Sequence, residues 1–125
     1  MNTAHFRSCS IEVVKHRVAT ITEIPLGMLK RVVVEGMPIC LVHAPDGNVY
    51  AIGDVCTHEE NSLSEGALWG MEVECPVHLS RFDIRTGAVT GPPAMEAAET
   101  YAVSAENGEI YVETVPTATN SIKDG

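Results

Sequence analysis

The chain has 125 residues, which suits one domain that buries about two-thirds of the surface of its unfolded chain. Its formal net charge is −9, which excludes nucleic acid and anionic membranes as partners and favours a basic protein surface, although acidity that only keeps the protein soluble fits equally well. No apolar run approaches the ~20 residues that span a bilayer, and no signal-peptide core is present. We therefore expect a cytoplasmic protein whose four cysteines are metal ligands or thiols rather than disulfides.

The chain then shows a series of short strands separated by turn signals. Residues 1–17 have no firm periodicity, and we expect an N-terminal extension that is either loose or added as an edge strand. Only residues 25–31 could carry helical periodicity. Turn chemistry occurs at residues 35–36, 44–48, 86–87 and 105–108, and the last three of these predict hairpins. Residues 116–125 are polar and predict a flexible tail.

These elements predict an all-β domain over residues 18–115. Short strands at close spacing, interrupted by Gly and Pro, are typical of a sandwich or a small barrel. Neither an internal repeat nor a low-complexity segment is present in the sequence.

Two Cys/His pairs are the candidate ligands of a metal centre. Cys56 and His58 follow one predicted strand, and Cys75 and His78 follow another, so both pairs lie at loop tips on a rigid scaffold. Thiolate and imidazole are shared by zinc, copper and iron–sulfur centres. A tetrahedral zinc site would satisfy the count, but zinc fingers usually pair two cysteines in one element and two histidines in another.

The mixed order of these ligands suits a two-iron centre. Each segment can place its cysteine on one iron and its histidine on the other, which gives a [2Fe–2S] cluster with two thiolates on one iron and two imidazoles on the other. Since imidazole is neutral, the added electron is easier to hold. The potential of such a cluster lies at about −150 to +300 mV, against about −400 mV for all-cysteine plant-type clusters. A nucleophile–base pair of Cys56 and His58 is a remote alternative, because it leaves the second pair unexplained.

The motif C-x-H-x₁₆-C-x₂-H resembles that of the Rieske iron–sulfur proteins, and the resemblance covers roughly residues 18–115. It implies stacked antiparallel sheets with a small cluster-binding subdomain, about residues 55–93, made of two ligand loops and a Pro-rich loop. Gly91, Pro92 and Pro93 match the Pro-rich loop, which covers the cluster in this family.

Residues near the ligands indicate which Rieske proteins are most similar. In respiratory and photosynthetic forms two further cysteines form a disulfide, and the matching positions here are Asn61 and Val77. A tyrosine that donates toward a cysteine sulfur in those forms is replaced by Phe82, whereas Ser80 matches a serine that donates to a bridging sulfide. Fewer donors stabilise the reduced cluster less, so we expect a potential toward the low end of the Rieske range.

The stretch from Cys56 to Gly87 resembles most the small ferredoxins of bacterial aromatic-ring-hydroxylating dioxygenase systems. The resemblance implies an electron-transfer component rather than an enzyme, and we expect a monomer. A flavin reductase that oxidises NAD(P)H would reduce it, and it would reduce the Rieske cluster of a terminal oxygenase. The alternatives are the small subunit of a nitrite-reductase-type complex and a structural zinc module for protein binding.

Three further predictions concern residues outside the ligand set. Cys40 is expected in the core of a strand. Trp69 is either a packing residue or an exposed docking aromatic. Leu79 and Pro92 are expected to supply an apolar rim around the histidine ligands.

Overall fold

The computed structural model describes residues 13–57, 61–77, 79–92, 94 and 96–114. This part of the chain is built from ten strands and two short 3₁₀ turns, at Ile21–Glu23 and Leu63–Glu65, which confirms the predicted all-β class. The strands are β1 Val14–Thr20, β2 Leu29–Val34, β3 Met37–His43, β4 Val49–Gly53, β5 Ala67–Trp69, β6 Glu72–Glu74, β7 Arg81–Asp83, β8 Val89–Gly91, β9 Thr100–Glu106 and β10 Glu109–Thr114.

The strands form two antiparallel sheets. A six-stranded sheet has the order β1-β10-β9-β4-β3-β2, and a four-stranded sheet has the order β5-β6-β7-β8. The outer strands β1 and β2 of the larger sheet contact each other, so this sheet is curled toward closure. The smaller sheet follows β4 in the chain and carries the second ligand loop. The six-stranded sheet is thus the main scaffold, and the four-stranded sheet is a separate, smaller unit packed beside it.

Strand β3 is a wall shared by two hydrophobic cores. Ile39 and Leu41 point into a core inside the curled sheet, together with Ile110 and Val112. Because side chains alternate along a strand, Cys40 and Val42 point the other way, into a core between the two sheets. The second core also contains the predicted ligand cysteines, so the cluster region is packed against the back of the main sheet.

The turns follow the predicted chemistry. Asn107 and Gly108 have φ values of +53° and +80°, and Glu35 and Gly36 have +51° and +81°. Two consecutive residues with positive φ form the type I′ turn that matches the twist of a two-residue hairpin. The predicted hairpins around residues 44–48, 86–87 and 105–108 all form, between β3 and β4, β7 and β8, and β9 and β10.

The helical periodicity considered for residues 25–31 is wrong. Pro25 begins a turn that is closed by the Met28 amide on the Pro25 carbonyl at 3.0 Å, and Leu29 already starts β2. Gly27 in this turn has φ +84°, which no α-helix contains.

Strand β1 begins within residues 1–17 and lies at the edge of the larger sheet, as the edge-strand alternative for the extension expected. This strand pairs with β10 from Val14 onward and so crosses the expected boundary at residue 18. Residues 1–12 and 115–125, where the rest of the extension and the tail were predicted, lie outside the described residues. Within the described part of the chain, no helix has the length and apolar character needed to cross a membrane.

Candidate metal centre

The first ligand loop begins just after β4 and is closed at its base. The amide of Cys56 donates to the carbonyl of Asn61 at 2.9 Å, and Val55 and Ser62 form an antiparallel bridge beside it. The chain therefore leaves the scaffold at residue 55 and returns to it at residue 62. His58 lies within this loop in the sequence but outside the described residues.

A buried aspartate braces the base of the first loop. Asp54 is fully buried, and its carbonyl accepts the Leu63 amide at 2.6 Å. One carboxylate oxygen, Oδ1, accepts the Ser64 amide at 2.8 Å, while Oδ2 lies 3.3 Å from Nε of Arg31 as an ion pair without hydrogen-bond alignment. The Ser64 amide and the Arg31 guanidinium together compensate the burial of this charge.

The second ligand loop is closed by a hydrogen bond equivalent to the one that closes the first. It connects β6 to β7, and the amide of Cys75 donates to the carbonyl of Ser80 at 2.7 Å. In each loop, therefore, the amide of the cysteine binds the carbonyl of the fifth residue after it. His78 lies within this loop in the sequence, outside the described residues.

A third segment, residues 91–98, is tied to both ligand loops. The Thr57 hydroxyl donates to the Glu96 carbonyl at 2.7 Å, and the Ala94 amide donates to the Ser80 hydroxyl at 3.0 Å. Gly91 lies opposite Arg81 in the pairing of β7 with β8, and a Cβ on it would lie only 3.3 Å from the Cβ of Arg81. The three segments are thus held as one unit. Pro92 is exposed, and Pro93 lies outside the described residues.

The two predicted ligand cysteines lie in one buried apolar cluster. Cys56 is 3% exposed and Cys75 is fully buried, and Phe82 packs in the same cluster, also fully buried. The described cysteines are thiols. Two thiols at the bases of two joined loops fit the sulfur half of a Cys₂His₂ two-iron site.

The environment of Ser80 fits the same site. Because its hydroxyl oxygen accepts the Ala94 amide, the hydroxyl proton is left to donate elsewhere, as the resemblance expects toward a sulfide. Ser80 is fully buried and follows the second ligand loop directly.

Cys40 behaves as the core residue that was predicted. Burial, with a smaller contribution from the Asp54 carboxylate, raises the pKa of the Cys40 thiol well above its ordinary value. A thiol with so high a pKa stays protonated and neutral, which suits packing rather than reactivity.

Three exposed apolar side chains lie in or next to the ligand loops. Val55 precedes Cys56 and is 45% exposed, and Val77 and Leu79 in the second loop are 37% and 57% exposed. Leu79 also has φ +61°, which costs a residue with a bulky side chain about 1 kcal/mol or more. An exposed leucine at a strained backbone position gains nothing for folding, so its side chain suits contact with another molecule.

The change Leu79→Gly is expected to raise the free energy of unfolding by about 1 kcal/mol, because glycine adopts this backbone conformation without strain. Denaturant unfolding followed by circular dichroism measures it. Leu79→Ala is the matched control, since it shortens the side chain but keeps the strain, and its stability should stay near that of the parent. Equal stabilities for the glycine and alanine variants would contradict the strain argument.

The comparisons with known proteins agree with this arrangement. Residues 14–102 match the family described as the Rieske [2Fe-2S] domain. The chain therefore belongs to the Rieske [2Fe–2S] family, and the predicted cofactor, one Rieske-type cluster, is confirmed by that membership.

Its relatives include dioxygenase ferredoxins. The ferredoxin component of the naphthalene 1,2-dioxygenase system of Pseudomonas aeruginosa is 37% identical over 91 residues, or 73% of this chain and 86% of that protein. The ferredoxin of carbazole 1,9a-dioxygenase from Nocardioides aromaticivorans IC177 is 37% identical, with a TM-score of 0.76 over 79% of this chain and 96% of that one. A chain in a complex of reduced oxygenase and oxidised ferredoxin of carbazole 1,9a-dioxygenase is 33% identical, with a TM-score of 0.74 over 79% and 92% of the two chains. The predicted resemblance is confirmed.

Two contributors to the site were missed in the sequence. Thr57 ties the first loop to the third segment, and Asp54 braces the loop base. The only sequence signals were their positions within two residues of Cys56: a short polar side chain directly after the ligand, and a carboxylate just after a strand. Neither signal names the partner.

Proposed function

We propose that this protein is a one-electron carrier that passes electrons from an NAD(P)H-oxidising flavin reductase to the Rieske cluster of a terminal ring-hydroxylating oxygenase. It performs no chemistry on the aromatic substrate itself. The observation that carries the proposal is the pair of equally closed cysteine loops, joined to a third segment, in a chain whose relatives are named as ferredoxin components of dioxygenase systems. The complex of an oxygenase with a similar ferredoxin supports the oxygenase as one partner.

In this proposal Cys56 and Cys75 hold one iron, and His58 and His78 hold the other. When bound, the cluster supplies reversible uptake and release of one electron. The chain fixes the positions of the ligand loops through the Cys56 and Cys75 amide bonds and through the ties from Thr57 and Ser80. Rigid loops of this kind limit the rearrangement that accompanies a change of charge.

The function is tested by reconstitution. The purified protein, reduced with dithionite, should show a Rieske-type EPR signal, whereas a zinc protein would be silent and colourless. It should then support oxygenation of naphthalene by the reductase and oxygenase of a naphthalene dioxygenase system from which the native ferredoxin has been omitted. A Rieske signal without any reduction by NADH and flavin reductase would contradict the proposed carrier role but not the cluster.

Ser80→Ala is expected to lower the reduction potential, because it removes a proton donor that stabilises the more negative reduced cluster. The decrease should be roughly 40–90 mV, which corresponds to about 1–2 kcal/mol of hydrogen-bond energy in a one-electron couple. Potentiometric titration followed by EPR measures it. The control is Ser104→Ala, since Ser104 lies in β9 of the main sheet and its removal should leave the potential unchanged. Equal reduction potentials for the two variants would show that the Ser80 hydroxyl does not stabilise the reduced cluster.

We further propose that the protein acts as a monomer in the cytoplasm. A sedimentation experiment at micromolar concentration tests the first statement, and a stable dimer would overturn it.

A further inference from the structure

The outer face of the four-stranded sheet carries an exposed tryptophan surrounded by charged side chains, close in sequence to the second ligand loop. Leu68, Val73 and Phe82 pair across β5, β6 and β7 and point inward. Their neighbours in sequence point outward because side chains alternate along strands. Four of these six neighbours, called here the Trp69 cluster, are Trp69, Glu72, Glu74 and Arg81.

Trp69 is 54% exposed, yet its ring is held in one orientation. Its indole Nε1 donates to Oε1 of Glu74 at 3.1 Å, and the guanidinium of Arg81 lies 5.6 Å from the ring centroid. A tryptophan that served the core would be buried, whereas here Arg81 lies over the ring and more than half of the residue remains exposed. Fixing an exposed aromatic side chain in advance removes part of the entropy cost of binding.

The charges of the cluster leave it acidic. Nε of Arg81 donates to Oε2 of Glu74 at 3.1 Å, and its Nη1 lies 3.6 Å from Oε1 of Glu72. One cation is therefore shared by two carboxylates, which gives the cluster a formal charge of −1 on a chain of net charge −9. A cationic side chain placed against the exposed part of the ring would meet both the negative π system of the indole and this excess of carboxylate.

The cluster is continuous with the ligand loops. Glu74 directly precedes Cys75, and Arg81 directly follows Ser80. Trp69 is paired with Glu72, three residues from Cys75, which places its Cα about 10 Å from the loop base at about 3.3 Å per residue. A standard interface of about 800 Å² per partner has a radius of about 16 Å. An interface of this size is therefore wide enough to include Trp69 together with Val77 and Leu79.

We propose that Trp69 is an aromatic anchor for the electron-transfer partner, and that it receives an arginine or lysine side chain from a basic face of that partner. This inference rests on the proposed function, because it places Trp69 on the surface through which the electron passes. Tryptophan is among the residues that contribute most to protein interfaces, and opposite charges speed the encounter. The hydrogen bond of the Trp69 ring goes to Glu74 and its cation contact to Arg81, and neither of these residues is a predicted ligand, so the inference assigns Trp69 to docking.

Cytochrome c, a basic one-electron acceptor, serves as the probe. One electron leaves the reduced cluster and enters the ferric haem, with no change in protonation. Trp69→Ala should lower the second-order rate constant at low salt about fivefold and weaken binding by a similar factor in calorimetry. Trp69→Phe should give an intermediate value. The EPR signal, the reduction potential and the rate of oxidation by the small anionic oxidant ferricyanide should stay as in the parent.

Matched controls separate docking from folding and from overall charge. Val33→Ala removes an apolar side chain that is 55% exposed on β2, and its rate constant should equal that of the parent. Glu72→Gln should flatten the salt dependence of the rate more than Glu106→Gln, which removes the same charge in β9 of the main sheet. Parent-like rate and binding for Trp69→Ala would overturn the inference. Failure of the parent itself to accept an electron from a flavin reductase would instead count against the proposed function.

Discussion

Cys75→Ser is expected to give a colourless protein with little bound iron. Serine is a much weaker ligand for iron in such clusters than thiolate, and the loss of one of the four protein ligands leaves one iron with a single cysteine thiolate. Iron analysis, visible absorption and the EPR spectrum of the reduced protein measure the effect. Cys56→Ser should behave in the same way, since the two cysteines occupy equivalent places in the two loops.

The matched control for this change is Cys40→Ala. Cys40 is as buried as Cys75 and belongs to the same apolar cluster, so loss of its sulfur disturbs the same core. It should lower stability modestly while iron content and the EPR signal remain. Full iron in Cys75→Ser, or loss of iron in Cys40→Ala, would show that the sulfur ligands have been assigned to the wrong residues.

Gly66→Ala is expected to destabilise the protein by roughly 2–4 kcal/mol and to impair cluster assembly. Gly66 has φ −90°, which any residue adopts, so the requirement for glycine here is one of space. A Cβ would overlap the carbonyl oxygen of Glu74. Glu74 directly precedes Cys75, so the shift that relieves this overlap would displace the second ligand loop. Denaturant unfolding and iron content measure the two effects.

Gly70→Ala provides the comparison for Gly66→Ala. Gly70 has φ +62°, but a Cβ there would meet no atom within 4 Å. The substitution should therefore cost only the conformational strain, about 1 kcal/mol, and leave the iron content unchanged. If both variants lost iron equally, general destabilisation rather than displacement of the Cys75 loop would explain the result.

The sequence predicted those features that depend on local chemistry. Asn107-Gly108 specified a two-residue hairpin, and the structure places both residues at positive φ. The strand before each of Cys56 and Cys75 indicated that a loop follows, and both loops are present, but the two cysteines lie at the buried bases of these loops and not at the expected tips. In these cases the signal and its consequence lie within a few residues of each other.

Features that depend on distant segments were not predictable. Thr57 finds its acceptor at Glu96, 39 residues later, and β1 finds its partner β10 at the other end of the domain. Trp69 had two possible roles, packing or exposed docking, and the structure leaves it 54% exposed beside Arg81, which the pairing of β5, β6 and β7 brings close. No local pattern encodes such approaches, because they arise only when the sheets are assembled.

The equal closure of the two ligand loops has a consequence for how such proteins can vary in length. Each loop is a ring whose size is set by the bond from the cysteine amide to the carbonyl of the fifth following residue, at Asn61 and Ser80. An inserted or deleted residue inside either ring would break that bond. The 13 residues between Asn61 and Cys75 include β5 and β6, and a residue gained in the turn at Gly70 would leave both rings intact. The number of residues between the two rings can therefore change with the β5–β6 turn, whereas the number of residues within each ring is fixed by its closing hydrogen bond.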